Sequence, residues 1–171
     1  MDRPDLYESD ILAWSEQQAN ALRRLATRRD LPNELDLDNV VEEIETVGRN
    51  ELRATESPIR LILMHIAKAV SQPEARAVAH WRTECIGWQD DLLRSFSPSM
   101  RQRIDMDALW RSALRQTEAA LAEHGVPLAA RLAGPCPVSL DDLLSSAFEF
   151  RDIVLLVARD RRVEPGDDDE G

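Results

Sequence analysis

The chain has 171 residues, 43% of them hydrophobic, which suits one globular domain with a core of ordinary size. Its 32 acidic side chains outnumber the 21 basic ones, and the net charge of -11 disfavours binding to nucleic acid phosphates. The two cysteines, Cys85 and Cys136, are far apart in sequence and predict neither a disulfide framework nor a zinc site of the usual kind.

The N-terminal stretch MDRPDLYESD is acidic and lacks the basic and then apolar regions of a secretion signal. The longest apolar run, residues 59–70, contains Arg60, His65 and Lys68 and is too short to cross a bilayer. We therefore expect a cytoplasmic protein that neither enters a membrane nor binds nucleic acid.

The first predicted element is an amphipathic helix that begins at Tyr7 and ends near Arg28 and Arg29. Its apolar face recurs at steps of three and four residues: Tyr7, Ile11, Trp14, Gln18, Ala21, Leu22 and Leu25. A turn-rich connection follows, and Asp38 or Asn39 is the predicted N-cap of the second helix.

The second helix contains the stretch LDNVVEEIETVG, in which Val40, Val41, Ile44 and Val47 form an apolar stripe. At roughly 100 degrees per residue, Glu42 points away from this stripe, whereas Glu43 and Glu45 lie on its two borders. Gly48 predicts either a bend or the end of the helix.

Two prolines divide the next region. Pro58 either begins a new helix with Ser57 as its cap or kinks a continuous one, and Pro73 ends the apolar run. A further helix is predicted from about Glu74 to Ser95.

The C-terminal half continues the helical pattern. We predict a helix with Ser97 as its cap and Pro98 at its first position, whose apolar stripe runs from Met106 to His124 and which Gly125 closes. A short helix capped by Ser139 is predicted after it. The last apolar stretch, DIVLLVARDRR, has no clear period, and we favour a helix because no other segment offers a strand partner.

Together these elements predict an all-α antiparallel bundle of about five helices. We expect one domain over residues 1–162, followed by an acidic disordered tail over residues 163–171.

Six motifs occur in a recognisable order. They are LYESDILAWSEQQANAL, NVVEEIETVG, HIAKAVSQP, Trp81, Pro98 to Met100, and CPVSLDDLL. In order and spacing they resemble the bacterial domain-of-unknown-function family number 29 over about residues 6–150. The resemblance implies an all-helical fold and a bacterial origin, and it implies no activity.

One polar cluster is the candidate site: Glu43, Glu45, His65, Lys68 and Gln72. His65, Lys68 and Gln72 share one face of their helix, and Glu43 or Glu45 of the second helix is expected to pack against it. Glu43, Glu45 and His65 could bind a divalent metal, or the cluster could transfer protons while Lys68 holds an anionic group.

Two further interpretations of the polar cluster remain. One is a structural network in which Lys68 or Arg76 neutralises Glu43 or Glu45, and the other is a ligand pocket of unspecified kind. We favour the network, because a metal site requires three or four ligands and the Glu-x-x-His signature of metal-binding bundles is absent from these motifs. Nearby, His80 and Glu84 are four residues apart and are expected to pair, and Trp81 beside His80 is a candidate for a pocket mouth.

No signature of a nucleotide-binding loop or of a serine hydrolase is present, and no cofactor is predicted. We interpret the protein as a small helical protein that binds another macromolecule, most simply a protein. The alternative is a small-ligand or metal-dependent enzyme that uses the Glu, His and Lys cluster. A third interpretation, based on charge alone, is an acidic protein that shields a basic partner. A homodimer is also possible, in which two copies cover an apolar stripe that the monomer leaves exposed.

Overall fold

Helices make up every regular element of residues 5–28, 31–32 and 34–159, which the computed structural model describes. The α-helices are α1 (Leu6–Ser9), α2 (Ile11–Leu25), α3 (Leu37–Ser71), α4 (Val78–Ser95), α5 (Met106–Ala122), α6 (Leu140–Leu144) and α7 (Phe150–Ala158). Because α1 and α6 have only four and five residues, the predicted bundle of about five helices is confirmed. The predicted domain end at residue 162 and the tail over residues 163–171 lie outside the described residues.

The central element is α3, which packs against α2, α4, α5 and α7. No helix in the described ranges is both long enough and apolar enough to cross a bilayer. The last helix, α7, confirms the helical prediction for the DIVLLVA stretch.

Asp10 separates α1 from α2, so the single helix predicted from Tyr7 is wrong in this detail. Its carboxylate accepts the N–H of Ala13 at 3.0 Å and thereby caps α2. The same carboxylate accepts the hydroxyls of Ser97 at 3.0 Å and Ser99 at 2.6 Å and the N–H of Ser99 at 3.1 Å. This one buried side chain therefore joins the start of α2 to the segment that follows α4.

The predicted second and third helices are one continuous helix, α3, of 35 residues. Its N-cap is Asp36, whose carboxylate accepts the N–H of Asn39, and this corrects the prediction of a cap at Asp38 or Asn39. Pro58 lies inside the helix and is buried, so tertiary packing offsets the backbone hydrogen bond that proline cannot donate. The helix ends at Ser71, two residues before Pro73.

Gly48 lies within α3, so the helix does not end there, which was one of the two outcomes that the sequence suggested. A Cβ atom at this position would lie 2.1 Å from the Ser15 hydroxyl oxygen and 3.1 Å from Cδ1 of Leu12. The absence of a side chain at Gly48 therefore lets the side chains of Ser15 and Leu12 on α2 lie directly against the backbone of α3.

The molecule divides into two regions along α3. We call α1, α2 and residues 37–54 of α3 the arm, and residues 56–159 the body. The contiguous hydrophobic core lies in the body and includes α3 only from Ile59 onward. Trp110, Ile62 and Leu63 are fully buried within that core.

Candidate functional site

The structure separates the residues that we grouped into one polar cluster. Glu43 and Glu45 lie on the same helix as His65, and the 20 residues from Glu45 to His65 correspond to about 30 Å along the axis. The expectation that Glu43 or Glu45 packs against His65, including their joint metal site, is therefore corrected. The physical reason is that α3 does not turn at Gly48 or Pro58.

Of the three glutamates in the EEIE motif, only Glu45 links the two helices of the arm. Glu45 accepts a hydrogen bond from Arg23 of α2 at 2.7 Å, and Glu42 accepts one from Arg49 at 2.5 Å. Glu43 is exposed and has no ion pair or hydrogen bond within the described part of the chain. None of the three is near the imidazole of His65.

The partner of His65 is Glu84 of α4, which is not a member of the cluster predicted from the sequence. His65 Nε2 lies 2.7 Å from Glu84 Oε2, and the histidine side chain is 9% exposed. The available signal was the position of Glu84 between Trp81 and Trp88, where an acidic residue interrupts an apolar stripe. His80 Nε2 is 3.5 Å from the same oxygen, as its spacing from Glu84 predicts.

Aromatic rings surround this pair. The ring of Trp88 meets His65 edge-on at a centroid distance of 4.8 Å, and Trp81 lies at 5.9 Å. The Lys68 ammonium is 6.0 Å from the Trp81 ring centroid, within the range of a cation–π contact. Lys68 is also the only lysine among the 21 basic residues of the chain.

We call Glu84, His65, His80, Lys68 and Trp81 the imidazole cluster. The remaining residue of the predicted cluster, Gln72, is the C-cap of α3, and its backbone N–H donates to the Lys68 carbonyl at 2.9 Å. The side chain of Gln72 has no hydrogen bond within the described ranges.

Burial lowers the pKa of His65, and the hydrogen bond to Glu84 only partly opposes this effect. The hydrogen bond from His65 in turn lowers the pKa of Glu84. At neutral pH a neutral imidazole therefore donates its Nε2–H to a carboxylate.

The other nitrogen of His65, Nδ1, is buried and has no hydrogen-bond partner in the described part of the protein. In the rest of the cluster, His80 is exposed, and Glu84, Lys68 and Trp81 are partly exposed. Within the described ranges, no three His, Cys, Asp or Glu side chains are arranged to hold a metal ion.

Burial disfavours the thiolate form of both cysteines. Burial raises the pKa of Cys85 far above its ordinary value. It also raises the pKa of Cys136 to about 11, although a hydrogen bond with Val138 partly opposes this.

A second feature is a cleft between the end of α3, the start of α4 and α7. Its volume is about 550 Å³, and its apolar lining includes Val78, Phe150, Val154 and Leu155. Two arginines, Arg82 and Arg151, and one acidic residue, Glu74, stand at its edge. We call it the α7 cleft, and its size lies within the range of about 300–1,000 Å³ that is typical of ligand pockets.

Comparison with known proteins identifies relatives without a known activity. The sequence profile of the family described as "Domain of unknown function DUF29" matches residues 6–149. The crystal structure of an alpha-helical protein of unknown function from Rhodospirillum rubrum is similar, with 40% sequence identity and a TM-score of 0.79. The similarity covers 90% of this chain and 98% of that one. No curated protein is significantly similar to this chain.

Proposed function

This chain belongs to the DUF29 family, and from that premise we propose that it acts in the cytoplasm by binding another protein through the α7 cleft. The occupant is an amphipathic helix of the partner that carries acidic residues beside its apolar face. The observation that carries the proposal is an apolar cleft whose edge bears arginines, on a chain with a net charge of -11.

Exposed leucines of α7 offer an apolar contact to the partner helix. Leu155 is 51% exposed and Leu156 is 41% exposed, although neighbouring residues of the same helix are buried. From Ile153 to Ala158 this helix is apolar on all sides, and such a segment is normally covered on all sides. Because Leu155 lines the cleft, a helix bound there would remove it from water.

The two arginines of the cleft favour a partner that carries acidic residues. Arg82 forms an exposed ion pair with Glu149 at 3.3 Å, and Arg151 has no ion-pair partner within the described residues. A carboxylate on the bound helix would pair with Arg151 and favour an acidic partner over a basic one. The acidic surface elsewhere would repel such a partner, so the charges also direct it to this cleft.

Site-specific photo-crosslinking in cells that express the protein tests the proposal. We would place p-benzoylphenylalanine at Leu155 and at Ala79, both in the cleft lining, and at Ile86 as a matched exposed position of α4 outside it. We expect one shared partner from the two cleft positions, none from Ile86, and an acidic amphipathic helix at the crosslinked site. The change Arg151→Glu should reduce the yield.

Three outcomes would contradict docking in the α7 cleft. They are crosslinks of equal yield from all three positions, crosslinks only to a second copy of the chain, or a crosslinked partner segment without acidic residues.

The imidazole cluster favours a second candidate function, proton transfer on an anionic substrate. Glu84 is shared by the buried ring of His65 and the exposed ring of His80, and Lys68 could hold the anionic group. In this interpretation His80 exchanges the proton, and Glu84 orients its ring.

Inorganic phosphate is a suitable probe for this second candidate. Reductive ¹³C-methylation labels Lys68 and the N-terminal amine, since the chain has no other lysine. We expect saturable phosphate-dependent shifts of the Lys68 signal and of the His80 ring, and no shift of His124, which is exposed on the body. Shifts of equal size at Lys68, His80 and His124, or shifts that do not saturate with phosphate, would exclude an anion site in the imidazole cluster.

A further inference from the structure

One side of the arm is apolar but is not covered by any other part of the described chain. The side chains of α2 and α3 that meet each other include Ser15 and Ala19 on one helix and Val41 and Gly48 on the other. A second apolar stripe runs beside this contact on both helices. Its members are Trp14, Ala21 and Leu25 on α2 and Val40, Ile44 and Val47 on α3.

Helix geometry places the two stripes on the same side of the arm. Relative to Ser15, the residues Trp14 and Leu25 are rotated by about 80 to 100 degrees in one sense. Relative to Val41, the residues Val40 and Val47 are rotated by about 100 to 120 degrees in the same sense. Because α2 and α3 are antiparallel and both right-handed, equal senses of rotation lead to the same side. The six residues therefore form one surface, which we call the arm face.

The arm face is open to solvent. Val40 is 38% exposed and Val47 is 41% exposed, and Trp14 is only half-buried. Tyr7, which is 58% exposed, extends this surface by packing edge-on against Trp14 at a centroid distance of 4.9 Å. A contiguous apolar surface of this kind marks an interaction site.

We propose that the arm face is covered by the arm face of a second copy of this chain, so that two arms form a four-helix bundle. A layer of two helices buries only one seam, and a second layer is the usual way in which such a helical pair encloses a core. Two copies supply matching layers of equal length.

Charge complementarity identifies a second copy as the occupant. Arg24 lies at the outer edge of α2 and Glu43 at the outer edge of α3, and neither has an ion-pair partner within the described part of the chain. When α2 of one copy lies over α3 of the other, each Arg24 meets the Glu43 of its partner. A two-fold axis parallel to the helices forms this contact twice, as a self-complementary interface requires. This interface assigns a role to Glu43, the one glutamate of the EEIE motif that has no partner within the described monomer.

Sedimentation equilibrium of the full chain over a range of concentrations is the first test. We expect a mass of twice 19.4 kDa for the wild-type protein at high concentration. Val47→Glu and Val40→Glu should each produce a monomer that keeps its helical circular dichroism. The matched control Ile86→Glu, at an equally exposed apolar position of the body, should remain dimeric.

A charge exchange separates a second copy from any other occupant. Arg24→Glu and Glu43→Arg should each weaken the dimer by about two- to thirtyfold, because each substitution removes two exposed ion pairs at once. The double variant should regain the wild-type dissociation constant. These variants leave the apolar residues intact, so they still test whether two copies pair through the arm face if Val47→Glu unfolds the arm.

A wild-type protein that stays monomeric at every concentration would overturn the proposed dimer. A dimer that Val47→Glu leaves unchanged, or a double variant that is weaker than both single variants, would do the same.

Discussion

The arm and the body use the same helix, α3, in different ways. In the body, α3 is surrounded by α4, α5 and α7 and contributes to a cluster of 18 buried residues. In the arm, α3 packs chiefly against α2, and the buried hydrophobic residues of this region are Leu12, Ala19 and Val41. The same secondary structure is therefore stabilised by an enclosed core at one end and by a single seam at the other.

The difference shows how the arm compensates for its small core. It uses the close backbone approach at Gly48, the ion pair between Arg23 and Glu45, and the hydrogen bonds of Asp10 to the body. Exposed ion pairs contribute little to stability, so close packing and the Asp10 junction have the larger effects. The arm is thus the part of the fold that gains most from a partner.

The largest expected effect is in the body. Leu63→Ala removes a fully buried side chain from the core and should lower the free energy of unfolding by about 2–5 kcal/mol. Leu12→Ala, a matched change in the arm, should cost less, because Leu12 lies outside the contiguous hydrophobic core. Urea denaturation followed by circular dichroism measures both. Equal losses would contradict the contrast between the two regions.

The next effect tests the close approach of α2 and α3. Gly48→Ala places a methyl group against the Ser15 hydroxyl and should destabilise the protein by about 1–3 kcal/mol. Gly87→Ala is the control, because a Cβ at Gly87 meets nothing within 4 Å, and it should stabilise α4 by about 0.5–1 kcal/mol. Adding Ser15→Ala to the Gly48 variant should recover part of the loss. A neutral Gly48→Ala in urea titrations would refute the close packing.

A smaller effect concerns the junction between the regions. Asp10→Ala removes the cap of α2 and should cost about 0.5–2 kcal/mol. Burial opposes ionisation of Asp10, but hydrogen bonds from Ser99, Ala13 and Ser97 outweigh it and lower its pKa.

Because the folded pKa of Asp10 is lowered, its contribution is fully present above the unfolded pKa of about 3.9 and is lost as the pH falls through the folded value. Asp10→Asn keeps a capping side chain and should abolish this part of the acid sensitivity. Thermal unfolding between neutral and acidic pH measures it. If Asp10→Asn loses stability with falling pH as the wild-type protein does, other carboxylates control the acid sensitivity.

The smallest effect is expected at His65 in the body. Burial lowers its pKa, so the unfolded chain takes up a proton below about pH 6.5 while the folded chain does so only at lower pH. Stability that is present above about pH 6.5 should therefore be lost as the pH falls through the folded pKa.

His65→Gln should remove the sensitivity of stability near pH 6, whereas His124→Gln, at an exposed position of the body, should retain it. Thermal melts at closely spaced pH values compare the two variants. The body would then respond to acid near pH 6 and the Asp10 junction only near pH 4 and below. A loss of the effect in both variants would contradict this assignment.

The sequence predicted the helices well where local signals are strong. The end of α4 at Ser95 and the cap of α6 at Ser139 follow directly from it. The break at Asp10 was missed, because an aspartate within an apolar period gives no local sign that distant serines will bind it. The sequence also left open whether α3 continues through Pro58, because the continuity depends on tertiary packing around the proline.

The candidate site depended more on tertiary structure. His65 and Lys68 were identified from their shared helix face, and His80 and Glu84 from their spacing. The pairing of His65 with Glu84 joins residues 19 positions apart on two helices. Helical periodicity relates residues within one helix and does not show which residues of two helices meet. Glu43 and Glu45 were grouped with His65 only because a turn was expected between them.

By itself, then, the sequence determined the helical class, the approximate helices and the family, because periodicity and motif order are local properties of the chain. Tertiary structure alone decided that Gly48 permits close packing, that Glu84 completes the imidazole cluster, and that the described residues leave one side of the arm uncovered. These features depend on which helix faces meet, and that choice is made by the packing of the whole chain.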